Sequence, residues 1–140
     1  MSSYILVNDQ IQSNEWWKAL VRLCARIGDE FEICCWADEK EEIEQAMPFG
    51  HKVPSSWHGG TVIQGGITKS FVNYLTALDK PEADIYNKMT PFFTVRLGGV
   101  LSSEHYGTEV ILSDVPAGIQ KSVDQILAEM ERSAQVHRNL

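Results

Sequence analysis

The chain predicts an α+β (or α/β) fold. It reads as a single globular domain over residues 1–140, a mixed and mostly antiparallel sheet of about five strands with three to four helices packed on it. Three observations predict this. A chain of 140 residues matches the roughly 100–200 residues usual for one domain. Strand-like and helix-like segments alternate through the first half, which favours helices laid on a sheet. Two short apolar runs near residues 100 and 110 are joined too closely for anything but an antiparallel hairpin. An apolar fraction of 44% with 22% charged residues is ordinary for a globular protein and excludes a disordered chain.

The elements follow in order. Tyr4–Val7 is a short apolar run ending at Asn8-Asp9, a buried strand. Residues 14–27 form a helix, with Trp16, Leu20, Leu23 and Ile27 recurring at helical spacing and Trp17, Val21 and Cys24 widening the stripe. Ser13 is its expected N-cap and Gly28 its C′ residue, while Lys18, Arg22 and Arg26 line the opposite face. Residues 30–36 alternate: Phe31, Ile33 and Cys35 point one way, and Glu30, Glu32, Cys34 and Trp36 the other. That is a strand with one wet face, or an edge strand. Residues 38–47 make a short acidic helix with an Asp38–Glu41 capping box and only Ile43, Ala46 and Met47 as anchors.

Residues 48–60 carry two prolines and three glycines, which forbid a helix or central strand. A loop of about 12 residues in a small domain is uncommon and often functional. Residues 61–64 are a strand, and Thr68 caps a helix through Asp79 with Phe71, Tyr74, Leu75 and Leu78 as its stripe. Residues 82–90 are ambiguous, at most one polar turn of helix. Residues 92–97 are a strand, interrupted at Gly98-Gly99 and continued or replaced by 100–103. Glu104-His105-Tyr106-Gly107 then connects antiparallel into 108–112. A final helix runs from Ile119 to about Val136.

The charge is concentrated. Asp29, Glu30, Glu32, Asp38, Glu39, Glu41, Glu42 and Glu44 fall in one 16-residue window whose single base is Lys40, so the window sums to −7. That equals the formal charge of the whole protein, and the other 124 residues hold 11 acids and 11 bases. A chain of this balance lacks the Lys and Arg excess that drives nucleic-acid binding. Internal pairing with Lys18, Arg22 or Arg26 is too little to neutralise eight acids, so a negative patch is expected at the surface.

No run of about 18 apolar residues occurs, so no membrane span is expected. The amino-terminal residues have no basic region before an apolar core, so no signal peptide is expected. Three cysteines, two of them adjacent (Cys34 and Cys35), make a poor disulfide framework and point to a reducing, cytoplasmic setting.

Candidate chemistry is sparse. Gly60 and Gly65 before Thr68-Lys69-Ser70 have the wrong spacing for a phosphate-binding loop, and read instead as strand, turn and N-cap. His51 and His58 lack metal-site spacing, so neither a metal nor a cofactor is expected. Cys34, Cys35, Ser55 or Ser56 could act as a nucleophile only with a positioned base such as His58 or His105. Adjacent strand cysteines face apart and are usually buried as small apolar groups. No catalytic residue is assigned.

Two functions from different classes remain. The first is a protein-binding module that masks a basic partner. Glu32, Asp38, Glu39, Glu41 and Glu42 would meet the cationic surface, with Trp57 and His58 as contacts from the 48–60 loop. In size, acidity and lack of a catalytic signature the chain is similar to bacterial immunity proteins, which neutralise a cognate toxin such as a nuclease. This similarity of bulk properties implies an inhibitor of a basic protein and assigns no residue. The second is a small enzyme or ligand-binding domain with a pocket near the 48–60 loop and His105. Neither a nucleic acid nor a membrane is expected as partner, and a homo-oligomer stays open.

Overall fold

Alternating burial along short apolar segments builds a sheet in the computed structural model, which describes residues 2–82 and 84–139. The strands are β1 (Ser2–Leu6), β2 (Glu30–Trp36), β3 (His51–Val53), β4 (Gly60–Gly66), β5 (Thr94–Leu97), β6 (Leu101–Glu104), β7 (Glu109–Ser113) and β8 (Gln135–Asn139). They form one sheet in the order β3-β4-β2-β5-β6-β7-β1-β8. Every neighbouring pair is antiparallel. The fold is α+β and a single domain, as expected, with eight strands in place of about five and no parallel pair among the described residues.

The extra strands have physical reasons. β3 lies inside the segment expected to be a loop. It is three residues long, sits at the sheet edge and stops before Pro54, the only kind of strand that prolines tolerate there. β8 takes the place of the expected end of the last helix and pairs along β1, with Val136 opposite Ile5. Its Gln-Val-His-Arg-Asn carries one apolar residue, so no periodicity announced it. β5 and β6 are separate strands because Gly98, at φ +55°, turns the chain between them.

Among the described residues four α-helices pack over one face: α1 (Glu15–Cys24), α2 (Lys40–Ala46), α3 (Lys69–Ala77) and α4 (Ala117–Met130). α1 lies between α3 and α4, touching both. Phe31, Ile33, Ile63, Val95, Leu97 and Val110 meet Trp17, Leu20, Phe71, Leu75 and Leu127 in one core. Burying side chains of this size stabilises by about 1.5–3 kcal/mol each before conformational entropy is subtracted.

Several boundaries differ from expectation. α1 ends at Cys24, not at Ile27, which is 62% exposed; Gly28, at φ +98°, belongs to the following turn. The buried stripe is centred on Trp17, Leu20, Val21 and Cys24. Lys18, expected in solvent, is buried along its stem with Nζ 3.4 Å from Glu15. The cap of α1 is Asn14, whose amide is turned to the Met89 carbonyl at 3.0 Å, while Ser13 Oγ accepts from the Glu15 N–H.

Thr68 caps α3 as expected, accepting from the Phe71 N–H at 3.2 Å. β2 is central, between β4 and β5, so the edge-strand alternative fails and the wet-face alternative holds. α2 begins at Lys40 with Glu39 as its cap residue, and no Asp38–Glu41 capping box forms. Ile43 and Ala46 anchor it as expected, with Met47 half-buried.

Candidate functional site

The helices leave the other face of the sheet open, and the register decides which side chains stand on it. Gln64, Glu32, Arg96 and Ser102 are consecutive partners across β4, β2, β5 and β6. Opposite charges side by side on neighbouring strands pair. Arg96 Nη1 lies 2.6 Å from Glu32 Oε1, and Nη2 lies 3.1 Å from Glu104 Oε1. Gln64 Nε2 donates to the other oxygen of Glu32 at 3.0 Å. Thr94 Oγ1 and Ser102 Oγ donate to Glu104 at 3.0 and 2.7 Å. Burial opposes the charge on Arg96, yet Glu104 and Glu32 outweigh it and hold the guanidinium above its ordinary pKa.

Beside this polar row rises an aromatic cluster. Trp36, at the end of β2, packs edge-on against Trp57 at 4.9 Å between centroids and against Phe93 at 5.0 Å. Phe93 also meets His105 and Tyr106 at 5.5 and 5.3 Å, and Tyr86 extends the group past both. Trp36 and Tyr86 are 38% and 40% exposed, and neighbouring Ile85 is 91% exposed. Trp57 reaches this position because Gly60 has no side chain; a Cβ there would collide with the Cys35 carbonyl and the Trp57 ring.

The β6–β7 connection supports the cluster from below. His105 and Tyr106 both adopt left-handed backbone, at φ 50° and 61°, followed by Gly107 at 82°. Non-glycine residues in this region cost roughly 1–2 kcal/mol each, so their surroundings must hold them there. Tyr106 is buried, Lys88 Nζ lies 4.3 Å from its ring centroid, and its hydroxyl donates to Glu39 Oε2 at 2.9 Å. Burial, then the Glu39 carboxylate, raises the Tyr106 pKa well above the ordinary phenol value.

The seven residues expected to contact a partner divide by location. Asp38 and Glu41 are exposed at the start of α2, and Glu42 is half-buried, facing back towards the sheet near Cys35. Glu39 is half-buried, with one donor on each oxygen: the Trp36 N–H at 2.7 Å and the Tyr106 hydroxyl. It is a structural pin, which corrects its place in a freely solvated patch. Glu32 stands on the open face in its ion pair with Arg96, not among the helix acids. Trp57 is half-buried in the aromatic cluster, both packing element and surface, and His58 is exposed.

These pieces adjoin. The Ala37 N–H donates to the Gly59 carbonyl at 3.1 Å, joining the chain before α2 to the loop that carries Trp57 and His58. The base that neutralises part of the acidic segment is Arg96, whereas Lys18 pairs with Glu15. Sequence reasoning missed Phe93, Tyr86, Arg96 and Glu104 as members of this face. Trp36 did leave a signal, since its parity in β2 already placed a large aromatic on the wet side.

Two clefts border the aromatic cluster. One, of about 260 Å³, is bounded by Trp57, Phe93, Cys34, Glu32, Arg96 and Glu104. The other, of about 340 Å³, is bounded by His105, Glu109, Tyr86 and Asp9, with His105 Nδ1 3.4 Å from Glu109. The 48–60 loop and His105 thus line separate clefts. His51 stands exposed on edge strand β3, and no group of three or more potential metal ligands occurs among the described residues. Gly60 and Gly65 are strand residues of β4, and Lys69 opens α3.

Cys34 and Cys35 face apart, as expected, and with Cys24 they are free and buried. Burial raises the Cys24 and Cys34 thiols to about 11. Cys35, where burial is joined by Glu39 and Glu42, is pushed up to about 12. None is a thiolate at neutral pH, so none is primed as a nucleophile.

No helix among the described residues is long and apolar enough to cross a membrane. Comparison of the chain with protein-family models, with curated proteins and with solved structures finds no match.

Proposed function

We propose that the chain is a cytoplasmic protein-binding module that covers a basic surface of a partner protein, in the manner of an immunity protein neutralising a toxin such as a nuclease. One observation carries this reading. Trp36 joins a partly exposed aromatic cluster to the acidic start of α2, through its ring on Trp57 and Phe93 and its backbone on Glu39. Aromatic anchors that bury much area at low entropic cost, rimmed by charge of one sign, are the features of a binding hot spot. Asp38, Glu41 and Glu44 supply exposed negative charge beside it, which fits a cationic partner and speeds encounter with it. The three buried free thiols fit a reducing compartment.

The test is capture of protein from the native host at low salt, followed by titration of the captured protein against the wild-type chain and a D38K/E41K/E44K variant. A basic protein is expected, bound at least tenfold more weakly by the variant while the variant melts at the wild-type temperature. Capture of an acidic protein, or equal affinity for the two chains, contradicts the reading.

A further inference from the structure

The smaller cleft has the composition of a receptor for one side chain. Its floor is Val62, Cys34 and Thr94, adjacent in register on β4, β2 and β5 and exposed by no more than 7%, 7% and 2%. One wall is aromatic: the rings of Trp57 and Phe93 lie within 18° of parallel with centroids 6.1 Å apart. The other is the row Glu32–Arg96–Glu104. At about 260 Å³ the space falls just below the roughly 300–1,000 Å³ of small-molecule pockets, and suits the end of one long side chain.

The charge of the cleft selects its occupant. Two carboxylates face one guanidinium, a net charge of −1. Glu32 accepts from Arg96, Gln64 and, weakly at 3.7 Å, the Cys34 thiol. Glu104 accepts from Arg96, Ser102 and Thr94. A carboxylate offers about four acceptor positions, so each retains one for an incoming donor. An anion would meet both carboxylates, and an apolar group would leave those positions unused. A cation with an alkyl stem satisfies both walls, its head on the carboxylates and its stem on the rings, where cation–π attraction adds to the contact.

We propose that this cleft receives a single Arg or Lys side chain of the partner, its head group bonded to Glu104 and Glu32 and its stem lying against Trp57 and Phe93. This rests on the reading of the chain as a module for a basic partner, and it names the chemistry of one anchor.

The test needs no partner. Agmatine, a dication, and N-butylurea, which keeps the butyl stem and carries no charge, are titrated into the folded chain, and the Trp57 indole N–H is followed by NMR. Agmatine is expected to shift that signal saturably and N-butylurea to leave it unmoved. E104Q and F93L should each weaken agmatine at least fivefold, whereas E129Q, on the exposed side of α4, should keep its affinity within twofold. Failure of agmatine to saturate, or an equal response to N-butylurea, overturns the proposal. Should E104Q not fold, the comparison of the two probes on the wild-type chain still decides. An empty cleft together with lost partner binding in the α2 variant would discard this anchor and keep the broader reading.

Discussion

Glu39 shows how one side chain can leave a group to which its neighbours assign it. It lies among eight acids and looks like one more solvated charge, yet its two oxygens are taken by the Trp36 N–H and the Tyr106 hydroxyl. Those bonds tie the start of α2 to the end of β2 and to a turn 67 residues away. Tyr106 in turn holds an unfavourable left-handed backbone that a free loop would relax. Y106F removes the long-range bond without changing the ring, and hydrogen bonds to charged groups contribute about 1.5–3 kcal/mol. With Glu39 half-buried, the expected loss is about 1–2 kcal/mol, measured by urea unfolding. A variant as stable as wild type would show that the turn is held by packing alone. The local sequence had no means of revealing this contact, because the partner is distant and only the folded sheet brings it near.

At the scale of the element, β2 was the most legible part of the chain. Alternation over Glu30–Trp36, broken only by the buried Cys34, matches its limits and its two faces, since a strand repeats every second residue whatever its neighbours. α3 was legible for the same kind of reason, with Thr68 capping and Phe71, Tyr74 and Leu75 turned to the core, although it ends at Ala77 and not at Asp79, with Leu78 already extended. β3 and β8 were not: edge strands take their stability from backbone bonds on one side and need no apolar pattern. The end of α1 misled because Ile27 continues the helical spacing while the chain has already turned to reach β2. The candidate face was half legible. Its acids and Trp57 were visible as composition, but Phe93, Arg96 and Glu104 needed the pairing of β2 with β5 and β5 with β6. β2 also carries a testable consequence in its two thiols. Cys34 and Cys35 hold their protons to about 11 and about 12 against an ordinary 9.0. The unfolded chain therefore loses these protons first as pH rises, and folding stability falls from pH 9 upward. Cys24 and Tyr106 add losses of the same sign. The urea midpoint should be lower at pH 10 than at pH 7.5, and an unchanged midpoint would contradict the burial of these groups.

For the whole molecule, the division of labour between the two sheet faces organises everything else. One face is spent on the core under α1, α3 and α4, and the other carries the Glu32–Arg96–Glu104 row and the aromatic cluster. The net charge of −7 is not a property of the surface at large. It comes from a segment that begins before β2 and ends in α2, and part of it is neutralised by Arg96 or held by Tyr106. Asp38 follows Ala37, which bonds to the loop bearing Trp57 and His58, and Glu41 and Glu44 stand exposed further along α2. Screening over about 8 Å at physiological salt leaves such a field effective only near contact. The proposed basic partner would meet this one region. Hydrogen–deuterium exchange of the chain, free and bound to the captured partner, tests it most directly. Protection is expected over residues 36–42, 57–60 and 84–86, with α4 and β8 exchanging as in the free chain; protection confined to α4 and β8 would contradict it.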